Sequence, residues 1–552
     1  MAEPQTLLAV DVGSAYTRVA LIKSMDGEYR FVAVGRSITS DFGPPDVMAS
    51  ARSAMREIQA RIGHRLLTDD GQMLVGQTGA GAMSIVASAP PLRVAIIGLT
   101  RDIGVASALR ALDATNCVSV AALALDDVAN LVDSLAAANP EVIVLVGGVD
   151  GGATTRVYDV ADQIAVWLTR RDERARPIVI FAGNKDARPE IAARLGQVTM
   201  LRMADNVRPA LELENLHALQ GELQTLYLER KVKWLPGVTM LASQTNAPIV
   251  SATQAFENVV RHLARKYGIS VLGADVGAST TMLITARGDV LTRHVKSNLG
   301  LGAGMENLLA QTGVERLQSW LPIEIDAHDV QTFGLNRSLR PTTLPTTCDD
   351  LRRIQSAARL ALESIAQNID DAGFDLVVAT GGVFAHNADW GALALIVLDG
   401  LQPSGVFTLA VDTLGLAPAF GGIESVNALA AAQIIERESF MTLGTVIAPV
   451  SGNADGQMDL RVQVNSEQTI DVQHGALELI PLASGERAHI EVKLFGDAQL
   501  ALAHRGVFKA EIEGGMLGII IDARGRPTAE PTREQTRRWH RDMGVTLEAE
   551  NA

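Results

Sequence analysis

Asp11-Val12-Gly13-Ser14-Ala15-Tyr16-Thr17 places a carboxylate at the end of an apolar run and follows it with a Gly-Ser turn. Glycine lets the backbone approach an anion closely, and Ser14 and Thr17 can donate through hydroxyl or backbone N–H. Asp11, at the mouth of such a turn, can hold Mg²⁺ directly or through water. One corner of this kind is equally a hairpin turn with a solvated carboxylate. The corner returns, however, at Asp275-Val276-Gly277-Ala278-Ser279-Thr280-Thr281, with the same carboxylate, glycine and hydroxyls. Two facing turns can clamp the phosphates of one nucleotide from opposite sides. A third element, Val377-Val378-Ala379-Thr380-Gly381-Gly382, is a strand feeding a diglycine, where a nucleoside can pack on bare backbone. Each motif alone has an ordinary reading as a turn. The ordered set of three is far more specific and predicts a nucleotide cleft.

The elements that must position these residues are legible on both sides of the repeat. Apolar or alternating runs at 7–10, 18–23 and 29–34, separated by turn signals, predict a three-stranded antiparallel meander. Pro44 and Pro45 then open a helical stretch through about Gly63. The same order recurs at 270–274, 281–285 and 290–295, which makes the chain an internal structural repeat. Between the copies, apolar strands at 92–99, 141–146 and 177–181 alternate with helical runs near 103–112 and 128–138. That alternation implies a parallel sheet, in an inserted Rossmann-like domain. Downstream, the pattern predicts a helix over 349–371, a strand at 376–380, a helix near 389–401, a strand at 406–411 and a helix near 425–436. Short strands at 460–464, 478–481, 488–494, 507–513 and 517–521 read as a separate β-domain. The expected divisions are 1–88, 89–203, 204–440, 441–530 and a charged helical tail at 531–552.

Composition narrows the partners. The chain has 552 residues, 47% hydrophobic and 20% charged, as folded globular proteins do. Its net charge of -15 repels phosphate backbones, so no nucleic-acid partner is expected. The two cysteines, Cys117 and Cys348, form no CxxC pair and fit a reducing cytoplasm. The first apolar run meets Asp11 at once, and no uninterrupted apolar stretch reaches the roughly 18 residues of a spanning helix, so no membrane partner is expected. The histidines show no metal-ligand spacing. Gly300-Leu301-Gly302-Ala303-Gly304 reads as a loop. Asn184-Lys185-Asp186-Ala187 reads as a surface turn, since Ala187 stands where a guanine-reading motif needs Asp. Asp102-Ile103-Gly104 lacks the histidine of a cobalamin-binding signature, so direct cobalamin binding is not expected.

The three nucleotide motifs resemble the phosphate-1, phosphate-2 and adenosine motifs of the superfamily of actin, sugar kinases and seventy-kilodalton heat-shock chaperones. The resemblance implies an α/β fold of duplicated actin-like (ribonuclease H-like) type that binds ATP and Mg²⁺ in an interdomain cleft. It makes Asp11 and Asp275 the metal-holding and catalytic carboxylates. Gly13, Ser14, Thr17, Gly277, Ser279 and Thr280 become phosphate contacts, and Gly381 and Gly382 flank the adenosine. A narrower resemblance covers nearly the whole chain. Thr78-Gly79-Ala80-Gly81-Ala82, the run from Val146 to Gly152, Ala182-Gly183-Asn184, Asp205-Asn206-Val207 and the run from Ile519 to Pro527 look like the glutamate mutase accessory protein L family, which is distinct from the DNA-repair protein of similar name. This implies an ATP-driven accessory or reactivating chaperone of an adenosylcobalamin-dependent mutase. Met282 stands where a second Asp is common, and Ala278-Ser279 where two glycines are. Both departures imply a slow Mg-dependent ATPase or a nucleotide-gated switch. The alternative within the same fold is a small-molecule kinase, whose catalytic base would be Asp150, Asp205 or Asp412. A filament-forming homologue ranks last, because the insert and the C-terminal region would hinder stacking.

Overall fold

The computed structural model describes residues 5–39, 46–76, 79–125, 131–367, 369, 373–385, 387, 389–500 and 505–546. They form two compact units: residues 1–88, 236–292 and 298–552 make the first, and Ala89–Leu235 with Arg293–Ser297 the second. Pro44, Pro45, Thr78, Val128 and Asp371, named in the expectations above, lie outside the described residues.

The first unit holds two sheets that begin alike. In the first sheet the order is Ile249–Ser251, Ala82–Ala87, Thr6–Val12, Tyr16–Met25, Glu28–Ile38. Thr6–Val12 is central. It runs antiparallel to Tyr16–Met25 and parallel to Ala82–Ala87. Its unbroken apolar run suits a strand covered on both faces. Helix Val47–Ile62 packs on Glu28–Ile38, capped by the Asp46 side chain at its start and by Gly63 in the left-handed conformation at its end.

The second sheet starts with the same five-strand pattern: Val290–Lys296, Thr281–Arg287, Val271–Val276, Leu376–Gly381, Gly405–Val411. The duplication extends to the register. Asp11 faces Arg18 and Val12 faces Thr17; Asp275 faces Met282 and Val276 faces Thr281.

Three further strands, Met441–Ala448, Gly518–Asp522 and Leu477–Ile480, continue this second sheet. The region expected as a separate β-domain at 441–530 is therefore divided. Its other strands, Gln468–Gln473, Met458–Val464, Arg487–Leu494 and Val507–Glu513, form a four-stranded antiparallel sheet. The side-chain alternation of strands explains how the two are joined. Val446, Ala448 and Ile520 face the large core of the second sheet, while Ile447, Ile519 and Ile521 face the core under the four-stranded sheet. The tail is likewise no appendage. Helix Arg533–Asp542 begins in a capping box at Thr532 and Gln535, and Trp539, Met543 and Val545 enter the large core.

The second unit is a wholly parallel sheet in the order Cys117–Leu123, Leu92–Ile97, Val142–Leu145, Ile178–Phe181, Leu201–Met203. This is the doubly wound order 2-1-3-4-5. Val94, Ile96, Val142 and Val144 face one core; Ala95, Ile97, Ile143 and Leu145 face the other. The unit runs past the expected end at Met203, because helix His217–Arg230 supplies Leu219, Leu223 and Leu226 to the first of those cores. Among the described residues no helix is long and apolar enough to cross a membrane.

Candidate functional site

The two Asp-Val-Gly corners close in the same way. The Gly13 N–H donates to the Tyr16 carbonyl at 3.0 Å, and the Gly277 N–H to the Thr280 carbonyl at 2.8 Å. The turns meet directly, with the Ser279 hydroxyl 3.1 Å from that of Ser14. Between them lies a cavity of about 160 Å³, lined by Asp11, Gly13, Ser14, Asp275, Gly277, Ser279, Thr280, Gly381 and Gly382 among others. Nine of the ten residues singled out in the sequence thus share one cleft. Thr17 is the exception and corrects the expectation. Tyr16 and Arg18 line the cleft, so strand alternation turns Thr17 to the opposite face. There it is fully buried, and its hydroxyl pairs with that of Thr39 at 2.8 Å. Its counterpart Thr281 is also fully buried and donates to the Leu299 carbonyl at 3.0 Å.

The carboxylates are the electrostatic centre of the cleft. Asp11 is pushed up to about 6 by burial, against the pull of the Arg18 guanidinium 3.5 Å away. Asp275 is pushed up to about 7, first by burial and then by the carboxylates of Asp11 and Asp412. Only the charge of Arg18 works against these effects at Asp275 among the described residues. A buried carboxylate whose ionisation is opposed by the neighbouring carboxylates of Asp11 and Asp412 is stabilised as the ion by a cation. Among the described residues no group of three or more His, Cys, Asp or Glu side chains could cage a metal alone. Asp11 and Asp275 could together hold Mg²⁺, which takes one or two carboxylates and completes its shell with phosphate oxygens and water.

Asp412, considered as a kinase base, is fully committed. Its oxygens accept from the Thr380 hydroxyl at 2.7 Å and from the backbone N–H groups of Leu414, Gly415 and Ala417 at 3.0, 2.8 and 2.7 Å. It therefore ties the end of strand Leu376–Gly381 to the start of helix Ala417–Gly422. Asp150 and Asp205 belong to the second unit. Asp150 accepts from Lys185 N–H and Asn206, and Asp205 pairs with Arg188 at 3.0 Å. The first glycine of the pair is sterically required: Gly381 has φ +119°, and a Cβ there would lie 2.2 Å from the Val276 carbonyl oxygen, whereas a Cβ on Gly382 would meet open space.

Sequence reading missed three contributors. Arg18 faces Asp11 across the first hairpin, a pairing the register could have shown. The Gly300–Gly304 loop braces the second turn: the N–H groups of Gly302 and Gly304 donate to Ala278 at 2.8 and 3.1 Å, and that of Leu301 to Gly277 at 3.0 Å. A Cβ on Gly300 would come within 2.7 Å of the Ala278 and Ser279 backbone. The third is Arg337, which lines the cleft and donates to the Leu301 carbonyl at 2.9 Å and to that of Thr343. Beyond it the wall turns apolar, with Leu344, Pro345, Leu351, Ile354 and Val383. No local signal linked these distant segments to the turns.

The duplicated five-strand sheets and paired turns place this unit in the actin-like class of α/β proteins. Within that class, the family model described as "MutL protein" matches residues 7–439, and the chain belongs to that family. Protein MutL of Clostridium tetanomorphum is 21% identical over 427 residues, which cover 70% of this chain and 87% of that one. Low-scoring overlaps with solved structures include nucleotide-free acetone carboxylase, 10% identical over 85% of this chain and 81% of that one with TM-score 0.35. Glycerol dehydratase reactivase overlaps at 12% identity over 76% of this chain and 99% of that one, with TM-score 0.30.

Proposed function

We propose that this protein is a cytoplasmic ATP-binding accessory protein that reactivates or assembles an adenosylcobalamin-dependent mutase. The observation that carries the nucleotide half of the reading is the Ser14–Ser279 contact between two turns of the same geometry, with Asp11 and Asp275 buried beside it. The turns offer backbone N–H groups and hydroxyls to phosphate oxygens from two sides. Asp11 and Asp275 would hold Mg²⁺, which supplies the charge that lets both carboxylates stay ionised next to a polyphosphate. The apolar wall at Leu344, Pro345 and Ile354 excludes water from the nucleoside end. Met282 occupies the cleft where a further carboxylate would help orient an attacking water, which supports slow hydrolysis. The family supports the partner half. The kinase reading loses support because Asp412 has no free lone pair aimed at a substrate.

A mutase with damaged cobalamin bound, free adenosylcobalamin, this protein and either ATP or a non-hydrolysable analogue provide the test. Recovery of mutase activity with ATP and not with the analogue is expected. No recovery, together with ADP formation that rises on adding one small hydroxylated metabolite, would establish the kinase instead. A nucleotide can drive the partner only through different affinities of the two nucleotide forms, typically about 1–3 kcal/mol.

A further inference from the structure

Away from the cleft, helix Cys348–Ala366 carries a buried ionic network into the core of the second sheet. Arg359 donates to Asp399 at 2.6 Å, and Asp399 also accepts from Arg524 at 2.7 Å. Arg524 is bidentate on Asp522 at 2.8 Å on both arms, and Asp522 accepts from Arg526 at 2.5 Å. All five side chains are essentially removed from solvent. Three guanidinium groups share two carboxylates; Arg352 beside Gln355 adds a positive charge and the Asp542 carboxylate near Arg524 a negative one, so the cluster as a whole keeps one positive charge.

Three buried polar nitrogens around Arg359 have no hydrogen-bond partner among the described residues. Arg359 has to share Asp399, and its Nη2 is one of them. The Trp320 ring lies 5.9 Å from the Arg359 guanidinium, and its Nε1 is the second. Gln355 sits one helical turn before Arg359 on the same face. Its Oε1 is pinned by Arg352 at 3.0 Å, which leaves its Nε2 as a buried donor without an acceptor among the described residues. Helix Arg533–Asp542 closes the site, since Thr536 reaches the Ser319 carbonyl beside Trp320 at 3.3 Å. His540 from the same helix gives its Nδ1 proton to the Thr536 carbonyl at 2.7 Å and stays neutral, held down by burial and by Arg359 and Arg352. The cluster thus sets three unpartnered donors against one unpartnered acceptor, His540 Nε2, and is positively charged.

We propose that this cluster binds one monovalent inorganic anion of the size of chloride, held by Arg359 Nη2, Trp320 Nε1 and Gln355 Nε2. A water molecule satisfies donors but leaves the charge, and a dianion overshoots it. The ion would complete the joint between helix Cys348–Ala366, whose Leu351 and Ile354 line the cleft, and the C-terminal segment.

Crystals grown in bromide in place of chloride test the position. An anomalous peak within hydrogen-bond distance of the three nitrogens is expected. In solution, chloride is titrated against gluconate at fixed ionic strength while unfolding is followed. For one site the unfolding constant falls tenfold per tenfold rise in chloride above its Kd. Trp320→Phe and Gln355→Leu leave the five-member ionic network intact and should flatten that slope. Three results would overturn the site: water-only density at that position, wild-type stability equal in chloride and gluconate, or a chloride slope unchanged in both variants.

Discussion

Replacing Asp275 by Asn changes one oxygen for an NH₂ group and removes a buried charge. In the folded protein the Asp275 carboxyl titrates at about 7 against an ordinary 3.8, for reasons of burial and of the neighbouring Asp11 and Asp412. A folded-state pKa above the unfolded one means that the protonated acid suits the fold and the ion does not. The contribution to stability is therefore full below the unfolded value and is lost as pH rises through about 7. At about 1.4 kcal/mol per unit, ionising Asp275 in the empty cleft costs on the order of 4 kcal/mol at pH 8. Without nucleotide and Mg²⁺, the Asp275→Asn variant should thus be more stable than wild type at pH 8 and close to it near pH 4. With ATP and Mg²⁺ the order should invert, because wild type gains a ligand that the variant cannot hold. Urea unfolding at the two pH values, with and without Mg²⁺ and ATP, reads all four states. A variant less stable than wild type in the empty state at pH 8, or one with the full Mg²⁺-dependent gain, would refute the reasoning.

Gly381→Ala forces a Cβ against the Val276 carbonyl in a left-handed backbone; it should lower stability by about 1–3 kcal/mol and weaken ATP binding, both visible in thermal unfolding with and without ATP. Asp412→Ala orphans the Thr380 hydroxyl and three backbone N–H groups, so chemical denaturation should show a loss of about 3 kcal/mol or more. Were Asp412 a catalytic base as well, the variant would have no turnover even under conditions where it remains folded. His540 is held down to about 3 in the fold, so stability is full above its ordinary 6.5 and is lost as pH falls from there toward 3. That loss should reach about 4–5 kcal/mol, and His540→Gln should flatten the acid limb of the pH–stability curve.

The cleft was legible because its parts are local. A carboxylate, a glycine and hydroxyls within seven residues describe one turn, and a turn is settled by its own backbone. Nine of the ten residues read from those motifs do share the cleft, and the repeat of the corner announced the duplication of the sheet. Thr17 failed for a reason of the same scale. It sits one residue past the turn, inside the strand, where period-two alternation rather than proximity decides which face it occupies. The C-terminal region failed for a different reason. Val446-Ile447-Ala448 and Ile519-Ile520-Ile521 are apolar at every position, which marks a strand covered on both faces but does not say which sheets cover it. Their partners lie across long sequence separations, as do those of the Gly300–Gly304 loop and Arg337. The tail read only as charged and helical because four arginines, a glutamate and an aspartate dominate Arg533–Asp542; the amphipathic face with Trp539, buried into the large core, is carried by a few residues among them.

The duplication also shows where the two halves have diverged. The same register places a residue opposite each corner carboxylate: Arg18 opposite Asp11, and Met282 opposite Asp275. In the first half the carboxylate is partly neutralised by its own hairpin, and burial raises it only to about 6. In the second half the thioether gives no charge and displaces water, and Asp275 rises to about 7. Symmetric backbones therefore carry an asymmetric field. On the proposed reading, Arg18 keeps Asp11 oriented whether or not a nucleotide is present, while Asp275 depends on the incoming cation for its charge. Loading the cleft would then change the second half more than the first. The second half is also the one whose sheet continues into the C-terminal strands and whose helix Cys348–Ala366 reaches from the cleft wall to the buried arginine network. Helix Cys348–Ala366 packs on strands Val271–Val276 and Thr281–Arg287, which carry Asp275 and Met282, so on that reading it is the element that would carry the loading of the cleft toward the arginine network.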